Sequence, residues 1–330
     1  MIYDNQNIGK QHKGDSEFVA KCRLLQSIYR TEIGEDEGYI QRGSKRYFYG
    51  NYIMNGDKTG KNFLEDYIFD YAKKRVNNRK HYETINEERL FNNLLSSQPM
   101  AFNLFCPLEE MRKEDESSAT DILRAALPDY NINKVTKIDL EFIPDNFKEL
   151  TNDLTAMDAI IEFTDNEGIP SFIAIETKYS ENLGTNEASD KGKGKGKETI
   201  TSLGIFRTEI KERIENKEVN LTQIYRNFLL SETYGIDQNK KAYSIVLAPK
   251  EHPTTTNEVN SLKNELKEEY RYKISSVNLE DFVLKLIEKS QGKYQATFRA
   301  FYDRYLNLKK RNSYTFTEKI TKKSIPLRQK

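Results

Sequence analysis

Residues 157–179 decide the fold of this chain. A short apolar run, Met157 to Phe163 (MDAIIEF), is followed by a second run, Pro170 to Tyr179 (PSFIAIETKY). The intervening Asn-Glu-Gly at 166–168 is typical of a tight turn. Short apolar runs bounded by such a turn are typical of two buried strands. The sequence therefore predicts an antiparallel hairpin at the centre of a sheet.

This hairpin brings charged side chains together at one point. Glu176 and Lys178 are separated by one residue, so in a strand they project from the same face. Asp158 lies at the start of the partner strand, close enough across the hairpin to place its carboxylate beside that of Glu176. Two carboxylates and one ammonium group are therefore predicted to converge at the end of a strand.

Such a cluster has a chemical interpretation. Two adjacent carboxylates repel each other, and a divalent cation with oxygen ligands, Mg²⁺ or Mn²⁺, relieves that repulsion. The ion would polarise a phosphoryl oxygen and activate a water molecule, while Lys178 would hold that water or offset charge on the phosphate. Asp158, Glu176 and Lys178 are thus candidate catalytic residues for phosphodiester hydrolysis.

The alternative is an ordinary exposed ion pair at the mouth of a hairpin, because acid-x-Lys triplets are common on solvated strands. The placement of the triplet favours a functional site. Glu176 and Lys178 follow the buried-looking run 172–175 (FIAI), and Asp158 precedes Ile160 and Ile161 in its own strand.

The remaining patterns predict an α/β fold with a central mixed sheet flanked by helices. Helical periodicity dominates the first third, strands are predicted near residues 134–143, 242–248 and 272–277, and helices close the chain. The stretch Ser96 to Pro99 reads as the end of a helix. The expected organisation is a mainly helical N-terminal extension (1–80), a core (81–308) and a basic tail (309–330).

Composition narrows the classes of function. The chain has 52 Lys and Arg against 51 Asp and Glu, so no global positive charge draws it to nucleic acid. Two cysteines, no apolar run of membrane-spanning length and no apolar leader favour a cytoplasmic protein without membrane contact. The three histidines are scattered, which argues against zinc.

Several motifs together resemble a known family. They are 92–99 (NNLLSSQP), 102–105 (FNLF), Glu141, 175–181 (IETKYSE) and 225–230 (YRNFLL). With Asp158 on the preceding strand, they resemble a bacterial, restriction-endonuclease-like branch of the PD-(D/E)XK nuclease superfamily, over roughly residues 80–290. The resemblance implies a restriction-endonuclease-like core, with Asp158 and Glu176 as metal ligands and Lys178 as the catalytic lysine.

Many members of that superfamily add a carboxylate from an N-terminal helix. Glu88 is the candidate here and Glu141 is its rival, although a glutamate in the first turn of a helix is also favoured by the helix dipole alone. One departure is Met157, which stands where the family has proline.

Nucleic-acid contacts are predicted in two places. Gln223 and Arg226 lie in a stretch that loosely resembles the glutamine-containing helix of recombination-type members, though Arg226 could equally pair with a surface carboxylate. The Gly-rich segment 191–197 (KGKGKGK) contributes Lys191, Lys193, Lys195 and Lys197 as a clamp on the DNA backbone, or is a plain flexible insertion.

The leading hypothesis is a Mg²⁺-dependent (or Mn²⁺-dependent) DNA endonuclease acting on double-stranded DNA, in a restriction or phage-defence setting. The alternatives are a catalytically inactive nucleic-acid-binding or scaffold protein with the same fold, and a nuclease acting on RNA or structured DNA. Many enzymes of the resembled type cut as dimers, so a homodimer is left open.

Overall fold

The structure, a computed structural model, describes residues 8–83, 85–181, 195–216 and 218–313. Lys191, Lys193 and the chain beyond residue 313 therefore lie outside the described residues. The strands are β1 (Tyr39–Arg42), β2 (Lys45–Phe48), β3 (Ile132–Phe142), β4 (Met157–Asp165), β5 (Pro170–Thr177), β6 (Lys241–Ala248) and β7 (Ile274–Asn278).

The helices of the described residues fall before, between and after these strands. They are α1 (Glu17–Glu32), α2 (Gly56–Thr59), α3 (Asp66–Asn77), α4 (Glu87–Asn92), α5 (Ser97–Glu114), α6 (Glu116–Ala126), α7 (Phe147–Leu150), α8 (Gly196–Leu203), α9 (Ile210–Glu215), α10 (Gln223–Asp237), α11 (Thr255–Glu265), α12 (Leu279–Lys289) and α13 (Gly292–Tyr305).

Strands β3 to β7 form one mixed sheet in the order β3-β4-β5-β6-β7. The first three strands are antiparallel, with β4 and β5 joined by the predicted hairpin, and β6 and β7 run parallel to β5. The expected α/β architecture with a central mixed sheet is confirmed. Strands β1 and β2 form a separate antiparallel hairpin.

Helices cover both faces of the sheet because β5 is apolar on both sides. Ile173 and Ile175 contribute to a core shared with helices α5, α6, α12 and α13. Phe172 and Ala174 point the other way and pack beneath α10. A strand buried on both faces reads as a continuous apolar run, which explains the sequence FIAI. Glu176 lies on the α10 side of the sheet.

The stretch Ser96 to Pro99 begins a helix rather than ending one. The Ser96 hydroxyl accepts a hydrogen bond from the backbone N–H of Gln98, so Ser96 caps α5. Pro99 is tolerated in the first turn because backbone N–H groups there have no carbonyl partner within the helix. The predicted helix stop was wrong because serine and proline are compatible with both ends of a helix.

The N-terminal helices share the core of the sheet domain. Phe18 of α1 and Ile68 of α3 belong to the same buried cluster as Ile173 and Phe301. Deep in this cluster, the guanidinium of Arg304 donates hydrogen bonds to the carbonyl and the side chain of Asn62. The boundary at residue 80 stays a prediction. In the described part of the chain, no helix has both the length and the apolar character needed to cross a bilayer.

Candidate active site

Three carboxyl groups lie side by side across neighbouring strands. The register pairs Leu140 with Ala159 and Phe142 with Met157, so Glu141 of β3 lies opposite Asp158 of β4. Asp158 in turn precedes the Ala159–Ile175 pair, which brings it next to Glu176 of β5. Like charges directly opposite each other destabilise a sheet. Their side-by-side placement therefore needs a compensating partner.

Asp158 and Glu176 are held in different ways. Asp158 Oδ2 accepts hydrogen bonds from the backbone N–H and the hydroxyl of Thr177, both at 2.7 Å. Glu176 Oε1 lies 2.6 Å from Lys178 Nζ, in an ion pair whose side chains are 4% and 7% exposed. Lys178 follows the last residue of β5, and its side chain lies on the same side as that of Glu176, as predicted.

Helix α10 supports this pair from above. Gln223 Oε1 accepts a hydrogen bond from Lys178 Nζ at 3.0 Å, and the Asn227 amide donates to Glu176 Oε2. Asn227 Oδ1 accepts from the hydroxyl of Thr155, in the loop that leads into β4. One face of α10 thus fixes both members of the ion pair and the approach to Asp158. Asn227 belongs to the 225–230 motif, to which the sequence analysis assigned no role at this residue, and no sequence pattern pointed to Thr155.

Burial makes ionisation of the three acidic side chains unfavourable. Burial, with the charge of Asp158 as the next contribution, raises the pKa of Glu176 to about 8. Burial and the same neighbour raise the pKa of Glu141 to about 7, and burial raises the pKa of Asp158. Burial alone would lower the pKa of Lys178, but the carboxylates of Glu176 and Asp158 outweigh it and raise that pKa, so the lysine stays charged.

The donor set fits a hard divalent cation. All three acidic groups offer oxygen ligands, and Gln98, whose amide N–H donates to Glu141 Oε1 at 2.8 Å, adds a buried carbonyl oxygen with no donor in the described residues. Within the described ranges, no three His, Cys, Asp or Glu side chains are grouped tightly enough to enclose an ion by themselves.

The site opens into a cleft of about 780 Å³. Its lining includes Asp158, Glu176 and Lys178 on the sheet, Gln223 on α10, and Arg42 from the N-terminal part of the chain. Buried acidic groups with raised pKa values, grouped with a lysine in an open cleft, are typical of an active site.

A family model described as the PD-(D/E)XK nuclease superfamily matches residues 13–307. The chain belongs to the PD-(D/E)XK nuclease superfamily. The match extends further toward the N-terminus than the resemblance over residues 80–290. Neither the search of curated proteins nor the search of solved structures found a match.

Membership places the chain among nuclease hydrolases that typically use divalent metal ions and act on nucleic acid. Glu176 and Thr177 end β5, Lys178 follows, and Asp158 lies on the neighbouring strand. The assignment of Asp158, Glu176 and Lys178 to the PD-(D/E)XK motif stays a prediction. Met157, at the position predicted for the motif proline, is buried beneath α10, together with Phe172 and Ala174.

The other predicted residues lie in different places relative to the cleft. Glu141 lines it, whereas Glu88 is exposed in the first turn of α4 and is not among the lining residues. Lys195 and Lys197 lie at the start of α8, are exposed and do not line the cleft either. The structure therefore brings Glu141, and not Glu88, to the side of Asp158 and Glu176.

Arg226 lines the cleft but is already engaged. Its guanidinium makes a two-pronged ion pair with Asp153, at 2.6 and 2.8 Å, and Asp153 is 2% exposed. Asp153 also accepts a hydrogen bond from the backbone N–H of Thr155. The geometry matches the ion-pair interpretation of Arg226, which anchors α10 to the loop before β4.

We expect Arg226→Met to destabilise the fold by roughly 2–4 kcal/mol, because it leaves the Asp153 carboxylate buried without a cation. The double variant R226M/D153N should recover most of that loss. Chemical denaturation of the three proteins checks this. If Arg226 instead serves as a phosphate clamp, R226M will weaken DNA binding while the free energy of unfolding stays near that of the wild type.

Glu181, the last residue of the 175–181 motif, has a structural role that the sequence did not indicate. Its carboxylate accepts hydrogen bonds from the backbone N–H of Ser97 and from Arg89, which outweigh burial and lower its pKa. Its backbone carbonyl contacts the His252 ring at 2.9 Å. Glu181 therefore connects the end of β5 to the start of α5 at the edge of the cleft.

Proposed function

We propose that this protein is a Mg²⁺-dependent endonuclease that hydrolyses phosphodiester bonds of double-stranded DNA. The observation that carries the proposal is the arrangement of Asp158, Glu176 and Lys178: two carboxylates and an ammonium group meet at the sheet end and line an open cleft, with Glu176 and Lys178 buried and Asp158 half-buried. Superfamily membership supports a metal-dependent nuclease.

Each residue has a separate task in this proposal. Asp158 and Glu176 would hold the ion through carboxylate oxygens, and Glu141 would add negative charge on the far side of Asp158. A divalent ion bound there would polarise a phosphoryl oxygen and lower the pKa of a water ligand. Lys178, kept cationic by its neighbours, orients the attacking water and offsets charge on the phosphate. Gln223 and Asn227 position the Lys178 and Glu176 side chains.

A substrate panel tests this function. Supercoiled plasmid, linear duplex, single-stranded DNA and RNA are each incubated with the protein and Mg²⁺, and the products are resolved on gels. The proposal predicts nicked or linear products from plasmid. Cleavage of RNA alone would overturn the assignment of the substrate. Failure to cleave any of the four would support an inactive nucleic-acid-binding protein instead.

Metal affinity should depend on pH. Glu176 and Glu141, with pKa values of about 8 and about 7, carry protons near neutral pH in the metal-free protein. Because a metal ligand must be ionised, binding at Glu176 releases its proton, so affinity for Mn²⁺ should rise roughly tenfold per pH unit between about pH 7 and pH 8 and then level off, and should rise at least as steeply below about pH 7, where Glu141 is protonated as well.

Calorimetric titration with Mn²⁺ at several pH values checks this dependence, with buffers of different ionisation enthalpy reporting the protons released. Asp121→Asn, on the exposed face of α6, is a control that should behave as the wild type. An affinity that is constant across this range, with no proton release, would contradict the assignment of Glu176 as a ligand.

The restriction or phage-defence setting, the cytoplasmic location and a homodimer stay predictions from the sequence. Lys195 and Lys197 stay predicted contacts for DNA beside the cleft.

A further inference from the structure

The cations that line the active-site cleft are, with one exception, already neutralised. Arg23 pairs with Asp15, Arg89 with Glu181, Arg226 with Asp153 and Lys178 with Glu176. The exception is Arg42. Among the described residues, it is the one cleft-lining arginine or lysine without a carboxylate within ion-pair distance. A polyanion entering the cleft therefore meets one uncompensated positive charge, on the β1–β2 hairpin.

The hairpin is built to present that charge. A two-residue turn joins β1 to β2, and its first residue, Gly43, has a φ of 59°, which glycine adopts without strain. Arg42 pairs across the ladder with Lys45, and both are exposed beside the turn. No acidic residue occurs from Gly38 to Gly50.

The two faces of the hairpin differ. The register places Ile40, Arg42, Lys45 and Tyr47 on one face, and Ile40 and Arg42 line the cleft. The Arg42 guanidinium lies 5.9 Å from the centre of the Tyr47 ring. These four residues form the cleft face of the hairpin.

On the opposite face of the hairpin, the side chains contact one another. This face carries Tyr39, Gln41, Arg46 and Phe48, and the Arg46 guanidinium lies 4.7 Å from the centre of the Tyr39 ring. The Tyr39 ring in turn packs 5.2 Å from that of Phe48.

The base of the hairpin is fixed to the body of the protein. The Gly38 N–H donates to the Tyr52 carbonyl, and the Gly50 carbonyl accepts from the buried Arg30 side chain at 2.8 Å. A Cβ at Gly50 would clash with the Ile8 carbonyl, so glycine is required for this close approach. The acidic residues 35–37 precede the base, and the basic charge is confined to the turn end.

We propose that the cleft face of the β1–β2 hairpin binds the phosphate backbone of duplex DNA lying in the cleft, through Arg42 and Lys45. The proposal rests on the proposed function, since it takes the same substrate. A two-stranded ribbon is narrow enough to lie along a groove of duplex DNA. Contacts of arginine and lysine with phosphate position the duplex without reading its sequence. The hairpin thereby supplies local affinity that a net charge of +1 does not.

Binding of a fluorescein-labelled duplex, followed by anisotropy in EDTA and again with Ca²⁺ over a range of salt concentrations, tests this proposal. R42Q/K45Q should weaken binding about tenfold or more and reduce the slope of log affinity against log salt by about 2. The charge-retaining R42K/K45R should bind as the wild type.

Arg46→Gln, on the opposite face of the same hairpin, is the matched control for Arg42→Gln, and it should change affinity much less. Thermal melts of all variants confirm that these exposed substitutions leave the fold intact. Wild-type affinity and salt slope in R42Q/K45Q would overturn the proposal, and so would a loss in R46Q as large as that in R42Q.

Cleavage rates separate this proposal from the proposed function. With saturating Mg²⁺ and a range of plasmid concentrations, R42Q/K45Q should show a higher KM and a lower kcat/KM than the wild type. If the wild type cleaves and R42Q/K45Q binds DNA normally, the hairpin proposal fails and the nuclease stands. If the wild type cleaves nothing while R42Q/K45Q still loses DNA affinity, the nuclease proposal fails and the hairpin assignment stands.

Discussion

Asp158→Asn is expected to reduce Mn²⁺ affinity by about 100-fold or more and to abolish measurable cleavage. The substitution keeps the size of the side chain and an oxygen that can accept from Thr177, but it removes the central charge between Glu141 and Glu176. Loss of even an outer-shell partner of a metal costs about 10- to 100-fold in affinity, so loss of a ligand should cost more. Calorimetry with Mn²⁺ and plasmid cleavage measure the two effects.

The same variant should not unfold the protein. Because Asp158 raises the pKa values of both neighbouring glutamates, its neutralisation relieves repulsion in the metal-free state. The melting temperature of metal-free D158N at pH 8 should therefore equal or exceed that of the wild type, with Asp121→Asn as the control for the chemical change. Wild-type metal affinity in D158N would contradict the role of Asp158.

Lys178→Met is expected to lower the single-turnover rate of cleavage by about 10²- to 10³-fold while leaving metal binding in place. Methionine keeps the length of the stem and removes the ammonium group that lies 2.6 Å from Glu176 Oε1 and 3.0 Å from Gln223 Oε1. Loss of that cation frees Glu176 from its ion pair and removes a positive charge that would repel the metal ion, so Mn²⁺ affinity should stay equal or increase.

Lys285→Met, an exposed lysine on α12, is the matched control and should cleave at the wild-type rate. A Lys178→Met protein that retains full activity would show that the lysine is a structural partner of Glu176 only. A variant that loses metal binding along with activity would place Lys178 in the support of the carboxylates rather than beside the water.

The centre of the fold could be predicted because its signals are local. The β4–β5 hairpin follows from two apolar runs and a turn, and the alternation of side chains along β5 places Glu176 and Lys178 together. For the additional carboxylate, the sequence offers Glu141 only as a rival of Glu88. Only the register of β3 against β4 shows that it lies opposite Asp158.

The contacts that hold Glu176 and the helix above it in place could not be predicted, because they join distant parts of the chain. Asn227 and Glu176 meet only after α10 packs on the sheet, and the Arg226–Asp153 pair joins residues with no shared periodic pattern. Ser96 and Pro99 fit both the end and the start of a helix, so the local sequence does not show that α5 begins there. Likewise, nothing within residues 39–48 indicates that their hairpin borders the cleft.

The most direct test of the central claim is one plasmid-cleavage reaction on the wild-type protein, carried through a cycle of metal removal. Supercoiled DNA is incubated with protein and Mg²⁺, then with excess EDTA, then with Mg²⁺ restored above the chelator. The account predicts cleavage in the first stage, arrest in the second and recovery in the third. Cleavage that continues unchanged in EDTA would contradict a metal held by Asp158 and Glu176.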